Sequence, residues 1–116
     1  IEPDFADAFY LMGYSFKEVH RYDTAIYYYN KAIEFKPEEA EYYVERGSVH
    51  RFMGESVKAM RDYNKAIELD STDYIAYVNR AYLKEKQNNQ QGACKDYKRA
   101  MELGYFVRDY FSKCTD

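Results

Sequence analysis

Two histidines and two cysteines are the side chains of this 116-residue sequence best suited to nucleophilic or metal chemistry. Their placement gives them little to work with. Neither His20 nor His50 is paired by spacing with a nucleophile it could activate. Cys94 and Cys114 are too few for a disulfide framework and have no further ligands at metal-site spacing. Two readings of them stay open. The favoured one is a pair of reduced thiols in packed helices; the other is a disulfide tying the last part of the chain together, which an oxidising compartment would favour. The acidic run Glu38-Glu39-Ala40-Glu41 could hold a cation loosely, but negative charge in a first helical turn is also what a helix N-terminus favours. No phosphate-cradling glycine loop, HExxH or Cys/His ligand set is present. The expectation is a chain that is not an enzyme and needs no cofactor or metal.

Binding chemistry is better supplied. Fifteen tyrosines and seven phenylalanines give large amphipathic contact surfaces, and tyrosine can bury its ring while its hydroxyl bonds a partner's backbone. Hydrophobic residues make up 47% of the chain and charged residues 32%, so it is globular rather than disordered. The net charge of −3 offers no footprint for a phosphate backbone, which argues against nucleic acid. No apolar run approaches the roughly 20 residues that span a bilayer, and no leader pattern opens the sequence. A soluble chain is the expectation; the sequence does not name the compartment, though the cytoplasm is favoured.

What must position these side chains is set by a repeat. Tyr-Asn-Lys-Ala-Ile-Glu occurs at 29–34 and again at 63–68, with a worn copy, Tyr-Lys-Arg-Ala-Met-Glu, at 97–102. A fixed period of this size means a stacked array of one helical unit. Units are expected at 6–39, 40–73 and 74–107. The columns Ala25/Ala59/Ala93, Tyr29/Tyr63/Tyr97 and Ala32/Ala66/Ala100 follow i, i+4, i+7 spacing, one face of an α-helix. Gly13, Gly47 and Ala81 form a column of small residues that permits close helix approach.

Each unit reads as two helices. The first of each pair is predicted at 5–19, 38–53 and 72–87, the second at 22–35, 56–69 and 90–103. His20-Arg21, Gly54-Glu55 and Asn88-Asn89 break them apart. Asp4 and Ser71 or Thr72 are candidate N-caps, Gly104 a helix stop, and Pro37 a first-turn residue of the next helix. Nothing alternates with period two for long enough to form a strand, so the chain is predicted to be all-α.

These units resemble tetratricopeptide repeats. Unit one carries the pattern in Phe9, Met12, Gly13, Phe16, Ala25, Tyr29, Ala32 and Pro37. Unit two has Tyr43, Gly47, Ala59, Tyr63 and Ala66 but Ser71 in place of the proline. Unit three has Tyr77, Ala81, Ala93, Tyr97 and Ala100, with Tyr105 at the proline position. Arg46 and Arg80 stand where the family usually has an aliphatic residue, and His50 where it usually has an aromatic. The resemblance implies a right-handed α-solenoid of stacked antiparallel hairpins (a single domain, 1–116).

The resemblance further implies a non-enzymatic scaffold that binds a protein or peptide in a concave groove lined by the first helices. Tyr10, Tyr14 and Lys17 would come from unit one, Val44, Ser48, Arg51 and Phe52 from unit two, and Val78, Asn79, Tyr82 and Lys86 from unit three. The family's clamp for carboxylate tails needs a basic ring at Tyr10, Tyr14, Glu45, Ile75 and Asn79, and those residues cannot supply it. Residues 1–5 read as the tail of a preceding unit, so the sequence looks like a piece of something longer. Residues 105–116 are expected to form a capping helix, with Phe106, Val107, Tyr110 and Phe111 covering the last unit. Two other readings are a self-associating module, forming a homodimer through an uncapped N-terminal end, and a docking or regulatory arm of a larger enzyme.

Overall fold

The structure, a computed structural model, describes residues 4–114. Residues 1–3, most of the segment read above as the tail of a preceding unit, and residues 115–116 lie outside that range. Within it there are seven helices: α1 (Phe5–Glu18), α2 (Tyr22–Phe35), α3 (Ala40–Phe52), α4 (Ser56–Leu69), α5 (Tyr74–Lys86), α6 (Gln90–Glu102) and the single turn α7 (Tyr110–Lys113). Among the described residues there is no strand. α1 packs on α2, α3 on α4 and α5 on α6, and the resulting hairpins stack in chain order into a body of 50 × 30 × 20 Å.

The repeat columns make the joints. Ala25, Tyr29, Ala59, Tyr63, Ala93 and Ala100 sit in the interior of the stack. Each tyrosine ring fills the gap left by the small residue facing it. A Cβ added to Gly13 would lie 2.8 Å from the Tyr29 ring, and one on Gly47 would lie 2.9 Å from the Tyr63 ring. Glycine is required there by contact, not by backbone conformation. Between helices of a hairpin the chain reverses through one left-handed residue, at His20 (φ 61°), Gly54 (φ 79°) and Asn88 (φ 61°). Glycine and asparagine tolerate that conformation best. His20 is held in it with its Nδ1 2.7 Å from the Tyr22 hydroxyl.

The capping residues differ in part from expectation. Asp4 caps α1, its carboxylate accepting from the Asp7 amide at 3.1 Å. Ahead of α5 the cap is Asp73 rather than Ser71 or Thr72, accepting from the Ile75 amide at 2.9 Å. Thr72 instead donates twice to Asp70, and the Ser71 carbonyl accepts from the Tyr77 hydroxyl at 3.2 Å. Pro37 does not open a helix either. It lies in the turn before α3, where its carbonyl accepts from the Tyr43 hydroxyl at 2.7 Å. Two tyrosines one period apart thus tie down the loop that precedes their own helix, which is why α3 and α5 begin two residues later than predicted.

A charged network also bonds the units. Arg46 donates to Asp62 through Nε (2.9 Å) and Nη2 (2.7 Å), and to Asn30 of the preceding hairpin through Nη1 (3.0 Å). Arg80 repeats this with Asp96 and Asn64, and Lys84 adds a second cation 3.0 Å from Asp96. The Arg80 guanidinium is held above its ordinary pKa by its hydrogen bonds to Asp96. Unit one has Met12 and Tyr28 at the corresponding positions, and there Tyr28 stacks on Phe16, ring centroids 5.5 Å apart.

The C-terminal segment departs most from expectation. Of the capping helix predicted over 105–116, the described residues form only the one turn of α7, after the left-handed Asp109 (φ 68°) turns the chain out of helical geometry. Val107 and Tyr110 do pack on the last hairpin against Ala81, Ala93 and Tyr97. Phe106 and Phe111 do not, remaining 81% and 79% exposed. Cys94 and Cys114 are bonded as a disulfide, Cα atoms 5.6 Å apart across a sequence separation of 20, and not the two free thiols favoured from sequence. The turn at Asp109 brings Cys114 back onto α6.

A bridge closing a loop of this length contributes about 3 kcal/mol. Reduction, or Cys94→Ser, is expected to release residues 105–114 to trypsin at Arg108 while α1–α4 stay protected. An unchanged digestion pattern would show that the bridge does not hold this segment.

Candidate interaction groove

The first helices of successive units touch, α1 on α3 and α3 on α5, whereas α2, α4 and α6 make no contact with one another. The stack therefore curves with its first helices inside. On that inner side the residues predicted for the groove separate into three groups.

Val44 and Ser48 are not available to a ligand. Val44 is 3% exposed and packs with Ala40, Tyr43, Ala66 and Ala76 where α3, α4 and α5 meet. Ser48 is 8% exposed, its Oγ 3.1 Å from the Tyr63 hydroxyl. Both were expected at the surface because their helical positions match those of Tyr10 and Tyr14, but the neighbouring unit closes over them.

Tyr10 and Val78 are partly spent in packing. Tyr10 stacks on Tyr42 with centroids 5.0 Å apart and donates to Glu41 at 2.7 Å. Burial first, then the Glu41 carboxylate, pushes its phenol well above the ordinary range. Val78 packs, with Val107 and Tyr110, against the Ala81, Ala93 and Tyr97 cluster. Asn79 is half-buried on α5.

The remaining residues form two cation–aromatic clusters. At one, the Lys17 ammonium sits 4.4 Å from the Tyr14 ring and 2.6 Å from a Glu45 oxygen. Burial would lower the Lys17 pKa, but the hydrogen bond to Glu45 outweighs it and holds the ammonium above its ordinary value. At the other, the Arg51 guanidinium lies 4.8 Å from the Phe52 ring and 4.9 Å from the Tyr82 ring, and Lys86 lies 5.2 Å from Tyr82. Phe52 is half exposed.

The N-terminal ends of α3 and α5 carry the opposite charge. Glu39, Glu41, Glu45, Asp70 and Asp73 surround a cleft of about 350 Å³ with Val44 and Ile75 at its apolar side. Among the described residues no acidic or histidine cluster has metal-binding geometry. Glu39, Glu41 and Asp73, at the cap or first turn of α3 and α5, suit the helix N-termini they flank.

The site also contains residues that the groove pattern did not predict. The repeat tyrosines of the second helices send their hydroxyls through the hairpin to the inner side. Tyr63 meets Ser48 and accepts from Arg51 Nε at 3.2 Å, and Tyr97 donates to Glu85. The Tyr29 hydroxyl is buried without a hydrogen-bond partner among the described residues. The signal was present in sequence, since a column of Tyr where Phe would pack equally well asks where the hydroxyls go. His50, by contrast, is structural: it is buried, its Nδ1 2.9 Å from Glu55 and its Nε2 3.9 Å from Asp62.

The profile of the N-terminal acetyltransferase A auxiliary-subunit family matches residues 4–109. The chain belongs to that family. No curated protein sequence matches this auxiliary-subunit family member. Solved structures share its shape. The first tetratricopeptide domain of Spaghetti (RPAP3), solved bound to the HSP90 peptide SRMEEVD, has a TM-score of 0.88 at 23% identity, over 97% of this chain and 90% of that one.

The Arabidopsis OM64 tetratricopeptide domain has a TM-score of 0.86 at 20% identity, over 94% and 90% of the two chains. MamA has 0.82 at 27% identity, over 87% of this chain and 60% of MamA's own. The chain is a tetratricopeptide array, a right-handed α-solenoid of helical hairpins. No helix among the described residues is long and apolar enough to cross a membrane.

Proposed function

We propose that this chain is a non-catalytic interaction module that holds an extended or helical segment of a protein partner along the inner face of α1, α3 and α5. The observation that carries this reading is the pair of cation–aromatic clusters, Tyr14–Lys17 and Arg51–Phe52–Tyr82–Lys86, left partly exposed on a face whose other members are packed. Rigid aromatics and stacked cations are the groups that dominate binding energy at protein interfaces. Membership of an auxiliary-subunit family supports a role beside an enzyme rather than as one. The bound peptide in the RPAP3 domain supports a peptide as ligand. The chain's departures at Tyr10, Tyr14, Glu45, Ile75 and Asn79 argue that it does not grip a carboxyl terminus in the family's usual manner.

A linear peptide selected on the full chain from a random phage-displayed library is the probe. A groove of this size predicts micromolar affinity. Tyr14→Ala combined with Phe52→Ala is expected to weaken that peptide about tenfold or more while the thermal midpoint moves little, because both rings are substantially exposed. Fluorescence anisotropy of the labelled peptide reads the result. Unchanged affinity in the double variant would remove the groove from the function.

A further inference from the structure

We infer that the Arg51–Tyr82–Lys86 cluster is a subsite for a side-chain carboxylate of the partner, an inference that rests on the groove reading above. Arg51 is unlike the other half-buried arginines of the stack. Arg46 and Arg80 each spend both edges of the guanidinium, on Asp62 with Asn30 and on Asp96 with Asn64. Arg51 spends only Nε, on the Tyr63 hydroxyl. Its two Nη atoms have no hydrogen bond or ion pair among the described residues. The plane is nonetheless fixed, held between the Phe52 and Tyr82 rings at 4.8 and 4.9 Å.

A guanidinium locked in place with its fork edge unoccupied presents parallel donors that match a carboxylate. Lys86, 5.2 Å from the same Tyr82 ring, likewise has no anionic partner among the described residues. The one carboxylate nearby on α5, Glu85, is already engaged by the Tyr97 hydroxyl and by Lys113 at 3.5 Å. Two cations thus share one ring with no anion between them.

The position of this charge makes it selective. The cleft at the other end of the same helices is lined by Glu39, Glu41, Asp70 and Asp73 besides the paired Glu45, so an acidic side chain is repelled there and drawn to the Arg51 end. Lys17 does not compete, because Glu45 neutralises it at 2.6 Å. A partner segment is therefore seated in one register across the groove, an acidic residue against Arg51 and Lys86, with its apolar neighbours on Phe52 and Tyr82.

The test is a double-mutant cycle on the full chain with a peptide selected from the same library. Selection is expected to enrich Asp or Glu at one peptide position. Replacing that residue by Gln or Asn, or Arg51 by Gln, should each weaken binding about tenfold, and combining them should cost little more than either alone. Lys86→Gln should give a smaller loss, and raising salt from 50 to 500 mM should weaken the wild-type pair and not the Gln pair. Matched thermal midpoints of the Arg51→Gln variant and the parent exclude misfolding.

Selected peptides that lose affinity on Tyr14→Ala with Phe52→Ala, but show no acidic position coupled to Arg51, overturn the carboxylate subsite and leave the groove intact. Peptides indifferent to both sets of variants, or a library that yields no groove-dependent binder, overturn the two together.

Discussion

Tyr63→Ala is expected to destabilise the chain by about 3–5 kcal/mol, the cost of emptying a large aromatic site in a core that cannot collapse around it. Tyr63 is fully buried in the middle hairpin, against Gly47, Ala59 and Leu83. In a stacked array each unit is stabilised by its neighbours, so loss at the middle one also removes support from both outer ones. Urea unfolding followed by far-UV circular dichroism should show a much lower midpoint. The same position and its equivalent one period earlier give a sharper contrast with phenylalanine.

In Tyr63→Phe the hydroxyl that meets Ser48 and Arg51 Nε is lost. A buried serine is then left short of a partner, at about 1–2 kcal/mol. Tyr29→Phe removes a buried hydroxyl that has no partner among the described residues, so it should be neutral or stabilising. Equal losses for the two variants would show that the hydroxyls do not reach the inner side in the way described.

The second large effect is expected at Asp62. It is buried and accepts two hydrogen bonds from Arg46, which in turn holds Asn30 of the preceding hairpin. Asp62→Ala strands a half-buried guanidinium and should cost about 3 kcal/mol, the low end for a broken buried pair because the Arg46 side chain keeps 23% of its exposure. Unit one shows the alternative solution, Met12 with Tyr28. Arg46→Met combined with Asp62→Tyr should therefore recover most of the loss, since packed apolar groups replace a buried ion pair at little cost. Differential scanning calorimetry of the three proteins tests this. A double variant less stable than Asp62→Ala would mean that the ion pair supplies stability that packing cannot.

These expectations rest on features of unequal legibility in the sequence. The hairpins could be read because their packing is local and repeated: Ala25, Ala59 and Ala93 recur at one spacing and face one way. The breaks at His20, Gly54 and Asn88 were legible for the same reason. The tail was not. Val107, Tyr110 and Phe111 have helical spacing, yet the left-handed Asp109 between them breaks the helix. The Cys94–Cys114 bond joins residues whose proximity depends on that turn, and no local pattern encodes it. The groove was legible only as a face. Ser48 and Tyr82 occupy equivalent positions one period apart, but one is sealed by the Tyr63 hydroxyl and the other is exposed. Which side chains on a shared face reach solvent is decided by the neighbouring helix, and that information is tertiary.

A partner held on the inner face of α1, α3 and α5 should leave its footprint there. Nuclear magnetic resonance shift mapping of a library-selected peptide on the isotope-labelled chain tests it directly. The largest changes are expected at Tyr14, Lys17, Arg51, Phe52 and Tyr82. Changes concentrated instead on Tyr27, Arg61 and Lys95, exposed at equivalent positions of the second helices, would contradict it.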